Sequence, residues 1–305
     1  MIGFLIDVLI QGLLYGVMSM GILMSYKILD FADLSVDGTF PLGAAVSAVM
    51  IVNGVNPWIA LACSMFAGAL AGLITGLLHV KLGIEGLMAG ILVMTGLYSV
   101  NLMVAAGSFF GSLSNVPLYK YETIFSTTWL ESIGAPNIII SNFKVIVMLV
   151  LVMSVKILLD WLLRTKLGYL MKVTGDNEGL VSTLGHSVGK VKIFGLSLSN
   201  AIVALSGGIA ASVGRYFDAS LGTGMIVLGL SSVILGTTLL RRLRIQQTSK
   251  VIFGAIAYRL IVAIAIKQGL QPQHMKLMTV IIFIGAILMN KAELKSLFTL
   301  KKGEQ

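Results

Sequence analysis

Nine long apolar runs, parted by short polar stretches, constrain this chain more than any other feature. They cover 2–26, 39–52, 58–79, 84–106, 143–163, 191–213, 225–240, 251–266 and 277–289. A helix that crosses a bilayer needs about 20 apolar residues, so most of these runs suffice alone. The runs 39–52 and 277–289 cross only with help from their flanks, or stand as half-helices. Charged residues make up 11% of the 305-residue chain, against roughly 25% in a soluble domain. The expected fold class is therefore all-α: a polytopic membrane protein of about nine transmembrane helices with at least one broken or half-helix, forming a single transmembrane domain over 1–305. The 34 glycines suit helices that pack backbone to backbone in lipid.

The charges orient the runs. Lysine and arginine gather on cytoplasmic loops. Three basic clusters stand out: Arg164, Lys166, Lys172, Lys190 and Lys192; Arg241, Arg242, Arg244 and Lys250; and Lys291, Lys295, Lys301 and Lys302. Nine crossings put all three on one side, with Lys27 and Lys81. The expected topology has the N-terminus outside, the C-terminus cytoplasmic, an external loop at 107–142 and a cytoplasmic loop at 164–190. No basic residue precedes the apolar start at Ile2, which reads as a first membrane helix rather than a cleavable signal. The net charge of +9 lies beside apolar runs, not along an aromatic-interleaved stripe. It implies contact with membrane lipid and no nucleic acid. The external loop carries Tyr119, Tyr121 and Trp129, which suit an interfacial cap or a surface for an outside partner. The lone Cys63 excludes a disulfide framework and reads as a packing residue.

Four stretches carry functional candidates. In 30–41, Asp30, Asp33 and Asp37 alternate with Ser35 and Thr39 before Pro41. Gly38 and Pro41 argue for a break, after which Thr39 can cap a new helix. A helix start buried in the membrane is a substrate-site device in transporters; an ordinary loop is the other reading. The stretch 164–198 is polar, basic and glycine-punctuated. It includes Gly175, Asp176, Asn177, Glu178, Leu184 and Gly185. In 222–236 the small residues Gly229, Ser231, Ser232 and Gly236 suit a tight helix contact. Arg259 lies nine residues beyond Lys250, roughly 13 Å along a helix. A charge at that depth is either functional or paired structurally with a carboxylate or carbonyls.

Three of these stretches carry a resemblance, the run 222–236 resembling a late glycine-rich helix of the permease superfamily named next. Asp33-Leu34-Ser35-Val36 followed by Gly38 resembles a segment of ribose and other sugar permeases, and Asp30-Phe31-Ala32 resembles the corresponding start in branched-chain amino acid permeases. Asp37 departs from the glycine usual in the sugar group. Gly168, Gly175, Asn177, Leu184 and Gly185 are similar to the segment through which permeases of this superfamily couple to their ATPases. The resemblance implies the permease subunit of an ATP-binding cassette importer in the bacterial cytoplasmic membrane. Its partners would be a cytoplasmic ATPase subunit, an external substrate-binding lipoprotein and a second permease copy. Its solute would be small, an aromatic or branched-chain amino acid before a sugar. The translocation path would involve Asp33, Ser35, Asp37, Thr39 and Arg259, and ATPase coupling the six residues from Gly175 to Gly185 named above. The rival class is a secondary transporter using Asp30, Asp33 and Asp37 as an ion site. No phosphate-binding loop exists, since Gly189-Lys190 has Leu184 where its first glycine belongs. The three histidines are scattered. Neither an enzyme, a cofactor nor a metal site is expected.

Overall fold

The computed structural model describes residues 2–127, 136–269, 271, 274 and 277–288. Helix α1 (Ile2–Ile22) runs into a π-helical segment, Leu23–Ile28, and α2 spans Val36–Val52. Then come α3 (Pro57–Leu82), α4 (Gly86–Ala106), strand β1 (Asn115–Pro117) and α5 (Asn137–Leu162). Two short helices, α6 (Lys166–Asp176) and α7 (Glu178–Thr183), precede the long α8 (Val188–Gly214). Strand β2 (Tyr216–Asp218) leads through a 3₁₀ turn, Ala219–Gly222, into α9 (Met225–Leu239), followed by α10 (Gln247–Lys267). An apolar helix α11 covers Leu277–Leu288. Among the described residues, seven helical stretches are long and apolar enough to cross a membrane, while α2 and α11 are shorter. Each overlaps one of the apolar runs of the sequence. Lys291, Lys295, Lys301, Lys302 and Trp129 lie outside the described residues.

The helices order themselves by how close their backbones can come. On α3, Gly68, Gly72 and Gly76 recur every fourth residue and face α8. A Cβ at Gly72 would lie 2.2 Å from the Leu196 carbonyl oxygen, and one at Gly68 2.4 Å from that of Asn200. Spacing of four puts the three glycines on one stripe. Helix α2 packs on the same α8, and α4 covers α2 and α3. A second group joins α1 to α10 and α9. Between α9 and α10, Gly236 meets the Lys250 carbonyl, and Gly229 meets Ile22 of α1, so these two serve packing. The outer faces remain apolar: Phe66 and Leu70 of α3 and Val150, Ile157 and Trp161 of α5 are exposed, as lipid-facing helices require.

At one end a two-stranded antiparallel ribbon pairs Val116 of β1 with Phe217 of β2. Val116, Leu118, Ile124, Phe125 and Phe217 are buried there. Within 107–127 the packed part is 116–125, while Phe109, Phe110, Tyr119 and Tyr121 are exposed. The Ser220 hydroxyl holds the Asp218 carboxyl below the usual carboxylate range, and burial opposes it only partly.

Candidate functional site

The start of α2 differs from the expectation. The helix begins at Val36, three residues earlier, and runs through both Gly38 and Pro41. Asp33 makes the turn that starts it: its Oδ1 accepts the Ser35 N–H at 2.9 Å and the Ser35 hydroxyl at 2.5 Å. Thr39 caps nothing. Its hydroxyl donates back to the Ser35 carbonyl at 3.0 Å, one turn inside the helix. Pro41 is tolerated because it costs one hydrogen bond, the one its N–H would give the Asp37 carbonyl. Gly222 sits over that carbonyl so closely that a Cβ there would lie 1.9 Å from it.

The three carboxylates of 30–41 do not cluster. Asp30 is exposed, in the left-handed region at φ 50°. Asp33 is buried, and its Oδ2 accepts the Asn200 amide of α8 at 2.7 Å. With Ser35 and Asn200 around it, this carboxylate is spoken for. Asp37 points the other way, to α9. Its Oδ2 accepts the Gly224 N–H at 2.9 Å and its Oδ1 the Ile226 N–H at 2.8 Å. Gly224 has no side chain to cap α9, so a carboxylate from α2 does so, against the positive end of the helix. Sequence reasoning missed this. The available signal was Gly222-Thr223-Gly224, an apolar helix start without a capping side chain, 187 residues from a spare carboxylate.

Arg259 is half-buried on α10. Its guanidinium donates from Nε and Nη2 to Gln11 Oε1 of α1 and lies over the Tyr15 ring, 5.3 Å from the centroid. No carboxylate among the described residues pairs with it. The structural pairing of Arg259 with Asp33 or Asp37 is therefore not what this fold uses.

Two cavities flank the turn before α9. One, about 310 Å³, is bounded by Asp37, Pro41, Met94, Tyr98, Asn101 and Thr223. The other, also about 310 Å³, is bounded by Tyr15, Thr223, Leu228, Tyr258, Arg259 and Thr279. The anionic side chain lines one and the cationic side chain the other, with Thr223 common to both. Asp33, Ser35 and Thr39 are buried and line neither. No group of residues suited to a metal ion occurs among the described residues.

The other candidate surface is α6–α7. Thr165 caps α6, accepting the Gly168 N–H, and Asn177 caps α7, accepting the Leu180 N–H at 3.2 Å. Gly185, at φ 76°, ends the segment in a conformation that favours glycine. Glu178 pairs with Lys192 at 2.6 Å and ties α7 to α8. Asp176, Asn177, Leu180 and Leu184 are exposed. Gly175 faces inward instead, where a Cβ would lie 2.2 Å from the Ile28 carbonyl at the end of the π-helical segment. It seats the surface rather than forming it. Leu167, Tyr169 and Leu180 add exposed apolar area that the sequence reading did not single out.

Residues 4–289 match the family described as branched-chain amino acid transport system / permease component. The chain belongs to this family. It is a permease subunit of the ATP-binding cassette importer class and a multi-pass cell membrane protein. It is 37% identical over 282 residues, 92% of its length and 89% of the relative's, to a tyrosine transport system permease protein of Clostridioides difficile. It is 31% identical over 287 residues, 92% of its length and 96% of the relative's, to an uncharacterized protein of Rickettsia prowazekii. A ribose import permease protein of Escherichia coli is 27% identical over 210 residues, 68% of this chain and 60% of the relative. No solved structure matches.

Proposed function

We propose that this chain forms the translocation path for an amino acid, with tyrosine the first candidate. The observation that carries this is the similarity, over nearly the whole of both chains, to a tyrosine transport permease. The chemistry around α9 supports it. A zwitterion entering a low-dielectric path needs partners for both charges, and Asp37 and Arg259 line neighbouring cavities. Of the five path residues read from sequence, these two retain that role. Asp33, Ser35 and Thr39 hold the start of α2. The ion-coupled alternative has no support from geometry, because Asp30, Asp33 and Asp37 diverge. A sugar solute remains the second reading, supported by the shorter similarity to a ribose permease.

In this reading the whole chain is one permease domain that crosses nine times, the short α2 and α11 included. Its N-terminus lies outside and its C-terminus in the cytoplasm. Two copies line the path, an external binding protein delivers the solute, and α6–α7 docks in the ATPase. Exposed Leu180 and Leu184 beside Asp176 and Asn177 supply the apolar centre and polar rim that such a contact uses. The deciding experiment is uptake of labelled L-tyrosine into proteoliposomes holding the permease, its ATPase and its binding protein. ATP-dependent accumulation is expected, and uptake of ribose alone would transfer the assignment to sugars. Externally added thiol reagent should label cysteines placed in 107–127 and spare those at 176–186; the reverse pattern overturns the orientation.

A further inference from the structure

The cavity between α2, α4 and the turn before α9 holds an unanswered polar atom. Asn101 of α4 is 1% exposed. Its amide nitrogen donates to the Gly38 carbonyl at 3.0 Å. Its Oδ1 has no partner, although the residue lines the cavity. A buried acceptor left bare costs about 1–3 kcal/mol, so such atoms mark places where something else binds. The second polar wall is Asp37. A carboxylate offers about four acceptor positions, and the N–H groups of Gly224, Met225 and Ile226 are directed at Asp37, leaving about one. The remainder of the cavity lining is mostly apolar, with the Tyr98 ring and Met94 opposite Pro41. The hydrogen bonds shown leave Asn101 Oδ1 and part of the Asp37 carboxylate open as acceptors, beside the second amide N–H of Asn101.

We infer that this cavity is a site for a primary ammonium group, held by the remaining carboxylate position of Asp37 and by Asn101 Oδ1. On the amino acid reading given above, on which the identity of the guest rests, that group is the solute's α-ammonium. An ammonium brings three donors and no acceptor, which suits these open acceptors. It can also lie against the Tyr98 ring, as cations do on aromatic faces. A carboxylate would meet the Asp37 charge here, whereas the neighbouring cavity is lined by Arg259. The cavity is at the small end of the roughly 300–1,000 Å³ range of ligand sites, which suits one head group rather than a whole polymeric ligand. Asn101 thereby becomes a specificity residue. It distinguishes an ammonium-bearing solute from an isostere in which that group is absent.

The test reads the cavity's charge preference without requiring transport. In the full-length protein with Cys63→Ala, a cysteine at Thr95, which lines the cavity, is reacted with three methanethiosulfonates: aminoethyl, hydroxyethyl and sulfonatoethyl. Each rate is divided by its rate with a free thiol in solution, which cancels reagent reactivity. The aminoethyl reagent is expected to react at least tenfold faster than the hydroxyethyl one, and the sulfonatoethyl one slowest. Adding Asn101→Leu should cut the aminoethyl preference at least threefold. Adding Asn101→Asp, which also loses the donor to Gly38 but keeps an acceptor and adds charge, should raise it. A role confined to packing would move both variants alike. A cysteine at Val227, in the second cavity, should favour the sulfonatoethyl reagent. Equal rates for the cationic and neutral reagents, indifference to Asn101→Leu, or no reaction at Thr95→Cys with any reagent would each overturn the site. Failure of L-tyrosine uptake with the charge preference intact would sink the solute assignment and leave the ammonium site standing. Uptake with a flat preference would do the opposite.

Discussion

The start of α2 and the α6–α7 segment read alike in the sequence and do opposite things in the fold. Both are short polar stretches broken by glycine, with Asp33, Ser35 and Asp37 in one and Asp176, Asn177 and Glu178 in the other. At α2 the polar groups turn inward and consume each other's hydrogen bonds across the molecule, to Asn200 on α8 and to the N-terminus of α9. At α6–α7 Asn177 caps its own helix, Glu178 reaches no farther than Lys192 of the next helix, and Leu180 and Leu184 stay in the open. The difference lies in what flanks them. Glycine on a buried helix lets another backbone touch it, while Gly185 lets an exposed one turn. Buried polar groups become costly to change, whereas exposed ones are free to meet a partner.

That contrast predicts a descending series of stability effects. Gly72→Leu, which forces a side chain into the Leu196 carbonyl, should give no monodisperse protein in detergent; a folded product would show that the α3–α8 seam is looser than described. Asn200→Leu strips the Asp33 carboxylate of one partner and should cost about 2 kcal/mol, measured as the shift in a detergent thermal melt. An unshifted melt would remove the α2 start from the list of structural polar centres. Asp37→Asn keeps an acceptor for α9 but loses the charge at its positive end, for about 1 kcal/mol. Leu184→Asp, on an exposed site, should change stability by no more than about 0.5 kcal/mol yet abolish co-purification of the ATPase. Retained co-purification would erase the functional half of the contrast.

The apolar runs were legible because lipid demands about 20 apolar residues whatever the fold around them. Their ends were less so. Gly38 and Pro41 suggested a break with a cap at Thr39, but Asp33 had already turned the chain and started the helix at Val36. Gly38 sits inside α2 because α4 lies against it, with a would-be Cβ 2.9 Å from Leu97. The site was legible as residue types and not as pairs. Asp37 and Arg259 stood out as charges in apolar surroundings. Their partners, Gly224, Ile226 and Gln11, are backbone groups or an ordinary amide far along the chain, and no local pattern names them. Asn101 carried no signal at all, because an orphaned acceptor exists only once its surroundings are known.

The long reach of the two carboxylates on either side of the start of α2 bears on how the protein is made. Asp33 waits for Asn200, 167 residues later, and Asp37 for Gly224 and Ile226, 187 and 189 residues later. At synthesis rates of about 5–20 residues per second that delay is roughly 10–40 s. Through that interval Asp37 lacks its α9 partners and Asp33 has only Ser35, and a charge so placed is costly in hydrocarbon. The ribosome-bound chain must therefore keep its second helix in the water of the insertion channel or at the lipid surface. That helix is threaded into the bundle only when α8 and α9 emerge, so the second helix synthesised is among the last to be buried.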